Sequence, residues 1–164
     1  MTSPLRAPLP TTPGVGIWPG SNVMTLPPSR LSVLLVDRSP PVRSHLRAVL
    51  NQEPSLCLAG EADTCAAALD LFIRYRPEAV LVEVCLPDGS GFDILQCIRQ
   101  VAPDCAVILL CDAPDPCVDE VGRLLGATRV CDKAGGIKPI RDILCRLAAE
   151  QRRPKSNTPL PAGP

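Results

Sequence analysis

Between residues 31 and 150 the chain alternates short, continuously apolar runs with longer amphipathic stretches. Leu-Ser-Val-Leu-Leu-Val (31–36), Ser-Leu-Cys-Leu-Ala-Gly (55–60), Ala-Val-Leu-Val-Glu (79–83), Ala-Val-Ile-Leu-Leu-Cys (106–111) and Thr-Arg-Val-Cys-Asp (128–132) each predict a strand. Helical spacing fills the gaps. Ser39 is placed as an N-cap before Pro40 and Pro41, with Val42, Leu46, Val49 and Leu50 on one face. Residues 64–75 follow with Ala68, Leu71 and Phe72 inward, then 91–102 with Ile94, Leu95 and Ile98. A short helix over about 115–125 ends at Gly126, and the last spans about 137–150 around Ile137, Ile140, Ile143, Leu144 and Leu147. Strands that are apolar at consecutive positions belong to a parallel sheet covered on both faces. Five β-α units with right-handed crossovers give an α/β, doubly wound, five-stranded sheet in the order 2-1-3-4-5.

The ends differ from this centre. Residues 1–29 are dense in Pro, Gly, Ser and Thr, without periodicity, and are expected to be disordered. There Trp18 reads as a stray aromatic and Met24 as an alternative start. Residues 151–164 read as a second polar tail, leaving 30–150 as one domain. With no attached output domain, the protein is expected to stand alone. Seventeen basic and 17 acidic residues cancel, so no field draws the chain to nucleic acid or an anionic membrane. No apolar stretch reaches bilayer length and no signal segment opens the chain, so a soluble, cytoplasmic protein is expected. Nine cysteines never form a C-x-x-C pair, and His45 is the single histidine, which argues against structural zinc. Buried thiols acting as small hydrophobes in a reducing compartment are the expectation.

In a doubly wound sheet, ligands bind beyond the carboxyl ends of the strands. Asp37-Arg38, Glu83, Cys111-Asp112 and Asp132-Lys133 end four of the five strands, so their side chains should meet at one rim. Glu83 poses the sharpest question, because a carboxylate ending a buried strand is costly unless paired. Asp88 and Asp93 read as a turn residue and a helix-face residue, and Arg141, Arg146, Arg152 and Arg153 as a solvated face along or after the last helix. His45 is expected to be exposed and far from the rim.

The segments Val-Leu-Leu-Val-Asp-Arg-Ser-Pro-Pro-Val-Arg (33–43), Arg-Pro-Glu-Ala-Val-Leu-Val-Glu-Val-Cys-Leu-Pro-Asp-Gly-Ser-Gly (76–91) and Leu-Leu-Gly-Ala-Thr-Arg-Val-Cys-Asp-Lys (124–133) resemble the receiver domain of two-component response regulators. The resemblance runs over about 30–149 and implies a flavodoxin-like receiver fold. It implies an acidic pair after the first strand and an aspartate after the third that hold Mg²⁺, the aspartate accepting a phosphoryl group from a histidine kinase. It also implies a Ser or Thr after the fourth strand and a Lys after the fifth that bind the phosphoryl oxygens, and an aromatic on the fifth that reports the change. Asp37, Lys133, Leu86-Pro87 and Gly91 match that pattern. Arg38 replaces the second acid, Glu83 the phosphoaccepting aspartate, Cys111 the hydroxyl residue and Val130 the switching aromatic.

These replacements point to a degenerate receiver. Glu83 is one methylene longer than aspartate, and misplacement by about 1 Å can cost about 10²-fold in rate. Arg38 removes a ligand from a Mg²⁺ site whose remainder is Asp37, Glu83 and the Cys85 backbone, so no cofactor is expected. Arg38 and Lys133 are instead expected to pair with Glu83. The implied partners are a histidine kinase, a phosphotransfer protein or another regulator, with a homodimer through the helix-4/strand-5/helix-5 face. A weakly phosphorylatable receiver and a redox variant using Cys85 and Cys111 near Lys133 stay open. An enzyme is not, since the first βα turn lacks G-x-G-x-x-G and no Ser/His/Asp set converges.

Overall fold

The consecutive apolar positions of the strands have two destinations, one on each side of a single sheet. The computed structural model describes residues 30–152, so the expectations for residues 1–29, for the tail beyond 152, and for Trp18, Met24 and Arg153 lie outside the described residues. Its elements are β1 Leu31–Val36, α1 Pro40–Gln52, β2 Leu56–Ala62, α2 Cys65–Tyr75, β3 Ala79–Glu83, β4 Cys85–Leu86 and β5 Gly89–Ser90. They continue with α3 Gly91–Val101, β6 Ala106–Cys111, α4 Pro116–Leu124, β7 Arg129–Asp132 and α5 Lys138–Gln151.

The main sheet has five parallel strands in the order β2-β1-β3-β6-β7, the doubly wound order that the sequence predicts. Within β1, Leu31, Val33 and Leu35 join Leu81, Ile108 and Leu110 in a core beneath α1 and α5, where Leu46, Leu50, Ile140 and Leu144 are buried. Leu34 and Val36 point the other way, to Val80, Val82, Val107 and Leu109, and are covered by Phe72 of α2 and Ile94, Leu95 and Ile98 of α3. Burying side chains of this size contributes about 1.5–3 kcal/mol each, so these two layers are the main drive to fold.

The register aligns the strand ends. Val36 lies opposite Val82, Glu83 opposite Leu110, and Cys111 opposite Asp132, so the junctions after β1, β3, β6 and β7 emerge together. Gly91 secures one of them. A Cβ there would stand 2.5 Å from the Glu83 carbonyl oxygen, so only glycine lets α3 begin against the β3 terminus.

Helix starts are fixed by side-chain acceptors. Thr64 Oγ1 accepts from Ala67 N–H in α2, and Asp115 Oδ1 from Cys117 N–H in α4. Ser90 and Asp93 form a reciprocal capping box on α3. Ser39 stands at the N-cap position of α1 as expected but makes no side-chain cap bond; its N–H donates to Asp37 Oδ1 instead.

Several details depart from the sequence reading. β4 and β5 form an antiparallel hairpin within the Leu-Pro-Asp-Gly-Ser segment that no periodicity indicated. β2 runs on to Ala62 and brings Glu61 toward the rim, and α5 extends to Gln151. The thiols are less hidden than expected. Only Cys105 is buried, whereas Cys85, Cys97 and Cys117 are exposed, on the hairpin, the outer face of α3 and the first turn of α4. None of the described helices is long and apolar enough to cross a membrane.

Candidate functional site

Asp37, the first residue past β1, is fully buried, and Glu83, the last of β3, is 2% exposed. Among the described residues these are the buried charged side chains. Lys133, just past β7, answers both. Its Nζ lies 2.8 Å from Glu83 Oε1, 3.3 Å from Asp37 Oδ2 and 2.6 Å from Asp112 Oδ1. The ammonium donates hydrogen bonds to Glu83 and Asp37 and forms a close ion pair with Asp112. Burial alone would lower the Lys133 pKa, but the hydrogen bonds to Asp112 and Glu83 and the charge of Asp37 raise it well above the ordinary lysine range.

Arg38 approaches Glu83 from the other side. Its backbone N–H donates to Glu83 Oε2 at 2.9 Å, and its Nε stands 3.4 Å from Oε1. The same guanidinium reaches Asp112 Oδ2 at 3.4 Å. Glu83 therefore has both oxygens engaged, by two cations and a backbone donor, as the sequence reading of the pair with Arg38 and Lys133 anticipates. Asp37 is engaged too, its Oδ1 by Ser39 N–H at 2.8 Å and its carbonyl by Arg43 at 2.6 Å. Burial, with the nearby Glu83 charge adding to it, raises the Asp37 pKa against the opposing bonds from Ser39 and Lys133. Asp112 is pulled the opposite way, below its ordinary value, chiefly by the Lys133 hydrogen bond.

The structure thus brings Asp37, Arg38, Glu83 and Lys133 together and separates Cys111 from their chemistry. Cys111 Sγ donates to the Cys131 carbonyl at 3.4 Å. Burial, then the charges of Asp132 and Asp119, push its thiol pKa up. The influences on Cys111 are burial, a hydrogen-bond acceptor and carboxylates, none of which favours its thiolate. Cys111 and the exposed Cys85 do border one cavity of about 370 Å³, beside Glu83, Asp112 and Pro114. Val130 faces α4 rather than this cleft: a Cβ on Gly122 would stand 2.7 Å from Val130 Cγ2.

The roles of three participants are not evident in the sequence. Asp112 was placed at the rim but given no partner. Arg43, on α1, holds the Asp37 carbonyl and sits 3.8 Å from Glu61, which is also bound by Arg47. Asp88 is more than a turn residue. Its carboxylate accepts from Cys65 N–H at 2.7 Å and Ala66 N–H at 3.0 Å, and those bonds lower its pKa. The useful clue for Asp112 was the uneven count of four carboxylates and two cations at strand ends. Asp88 caps a helix that precedes it by 23 residues, a relation no local pattern contains. His45 is exposed as expected, yet it borders a recess of about 150 Å³ with Lys133, Ile137 and Ile140, nearer the β7–α5 junction than anticipated.

With the strand order, the carboxylates after β1 and β3 and the lysine after β7 in place, comparison with known proteins becomes decisive. The model of the response regulator receiver domain matches residues 33–143. The chain belongs to this family. A Mycobacterium tuberculosis protein named "Probable transcriptional regulatory protein TcrX" is 35% identical to the receiver over 130 residues, covering 75% of this chain and 50% of that protein. A protein-glutamate methylesterase/protein-glutamine glutaminase of Nitrosospira multiformis is 28% identical over 112 residues, covering 65% of this chain and 31% of that one. The receiver thus spans half or less of the length of these curated relatives. Among solved structures, the signal receiver domain of the response regulator NarL from M. tuberculosis superposes with a TM-score of 0.69 at 24% identity, over 74% of this chain and 98% of that chain. The BeF₃-activated DrrB receiver domain gives a TM-score of 0.66 at 22% identity, over 74% and 98%. At those identities the likeness is one of fold.

Proposed function

We propose that this receiver is a pseudo-receiver: a signalling module of two-component or phosphorelay systems that acts by protein–protein contact, without the usual aspartyl phosphorylation and without catalysis of its own. One observation carries the reading. Glu83, at the position where the family pattern has its phosphoaccepting aspartate, is held on both oxygens by Lys133, the Arg38 side chain and the Arg38 N–H.

The family pattern implies Mg²⁺ bound by the acidic residues after β1 and by the acceptor. The residues present do not fit it. Asp37 and Glu83 already spend their oxygens on Ser39, Lys133 and Arg38, and a guanidinium stands where a second carboxylate would be needed. Mg²⁺ demands near-ideal octahedral oxygen coordination, which this set does not supply. Phosphoryl transfer also needs an in-line acceptor with its charge screened, and a longer side chain bonded to two cations offers neither. The partners that suit such a module are a histidine kinase, a phosphotransfer protein or another regulator. The surface formed by α4, β7 and α5 is the face for docking or self-association.

The deciding experiment is incubation of the purified protein with acetyl phosphate and Mg²⁺, followed by intact mass measurement. No gain is expected. A gain of one phosphoryl group that disappears in Glu83→Gln overturns the reading. The paired substitution Arg38→Asp with Glu83→Asp, which restores the two acidic residues of the family pattern, is expected to regain labelling.

A further inference from the structure

The family pattern ties the junction after β6 to the site through a hydroxyl at position 111, and in this chain that tie is missing, because Cys111 Sγ is turned to the Cys131 carbonyl. The next residue takes up the connection. We propose that Asp112 is a built-in anion that fastens the β6–α4 loop over the site by binding Lys133 and Arg38 in place of an external ligand. This rests on the pseudo-receiver reading and names how the set state is held.

Asp112 is the first residue beyond β6, and its two cationic partners come from two other junctions, β1–α1 and β7–α5. Its side chain is 65% exposed, so nothing in the packing forces it inward. A solvated aspartate at a strand end would gain little by approaching an ammonium already bound to two carboxylates. Here it lies at 2.6 Å from Lys133, the shortest of that ammonium's three contacts, with Arg38 at 3.4 Å on its other oxygen. The charges facing it are Arg38 and Lys133, with Glu83 and Asp37 behind them. Without Asp112 the two cations and two buried carboxylates balance, so the third carboxylate is an addition to a neutral set and not a requirement for burying it. The loop is short: Asp115, three residues on, caps α4. Fixing Asp112 therefore fixes where α4 begins. The adjoining backbone bond, Lys133 N–H to Cys111 carbonyl at 2.8 Å, closes the same junction and will open with it.

The test is residue-resolved amide hydrogen exchange on the full chain, with no phosphodonor or metal added. It follows Lys133 N–H and Asp119 N–H, whose acceptors are the carbonyls of Cys111 and Asp115. Asp112→Asn is expected to raise exchange at both by about two- to fivefold, in the range of an exposed ion pair, while β3 amides stay unchanged. Wild type moved from low salt to 1 M NaCl should show the same rise, since screening then acts over about 3 Å, and Asp112→Asn should show no further rise. Asp112→Glu should retain most of the protection. Unchanged exchange in Asp112→Asn overturns the proposal. So does a rise that wild type does not reproduce in salt, because that result would mean Asp112 only shapes the turn. Acetyl phosphate labelling, by contrast, bears on the pseudo-receiver reading alone.

Discussion

Lys133 and Arg38 reach the same Glu83 oxygen from opposite junctions, but their side chains are 13% and 49% exposed. That difference sets what each is worth. Removing the cation from a buried pair leaves uncompensated carboxylates and typically costs 3–5 kcal/mol, whereas a half-solvated pair contributes about 0–1 kcal/mol. Lys133→Met is therefore expected to lose about 3 kcal/mol in urea unfolding, and Arg38→Ala less than about 1 kcal/mol. Equal losses would show that the two cations share the burial of Glu83. A second residue-scale effect is alkaline. Burial of Cys105, 7% exposed and bonded to the Pro77 carbonyl, raises its thiol pKa from 9.0 to about 11. The folded state then keeps the proton that the unfolded chain gives up, so stability falls as pH rises from 9.0 toward 11. The loss traceable to Cys105 is on the order of 3 kcal/mol, and a Cys105→Ala variant is expected to show a flatter alkaline limb in thermal unfolding. At this scale Glu83, Arg38 and Lys133 were legible in the sequence because each ends a strand and a buried charge demands partners. The orientation of Cys111 was not, because it depends on which neighbouring carbonyl lies within reach.

At the scale of elements, α4 sits tightly on β6 and β7. Gly122 lets Val130 and Leu109 approach to where a Cβ would stand 2.7 and 3.0 Å away. Gly122→Ala gains about 1 kcal/mol of helix propensity but must move α4 outward, and overpacking of this kind costs about 1–3 kcal/mol. A net loss of about 1 kcal/mol is expected. Adding Val130→Ala should recover part of it, a coupling that a double-mutant cycle reads directly. Additive losses would mean that α4 has room to yield. The strands and helices themselves were readable because a sheet covered on both sides writes unbroken apolar runs and its helices write one-sided stripes. The β4–β5 hairpin escaped because two paired residues per strand are too few to carry a period. The end of β2 escaped because Glu61 is polar, and strand pairing with Leu35 keeps it in the sheet regardless.

For the whole molecule, the winding order followed from the alternation of elements, and the rim followed from the winding. What the sequence left unwritten were relations between distant segments: Asp112 with two other junctions, Arg43 with the Asp37 carbonyl, Asp88 with the start of α2. Each joins groups that no local pattern relates. The hairpin of residues 85–90 shows what such relations do. Asp88 at its turn receives the first free N–H groups of α2, Ser90 at its end receives those of α3, and its root is the peptide following Glu83. Two helices on one side of the sheet are thus seated on six residues. A partner that gripped this small bracket would hold both at once, and one that pried it loose would unseat both together.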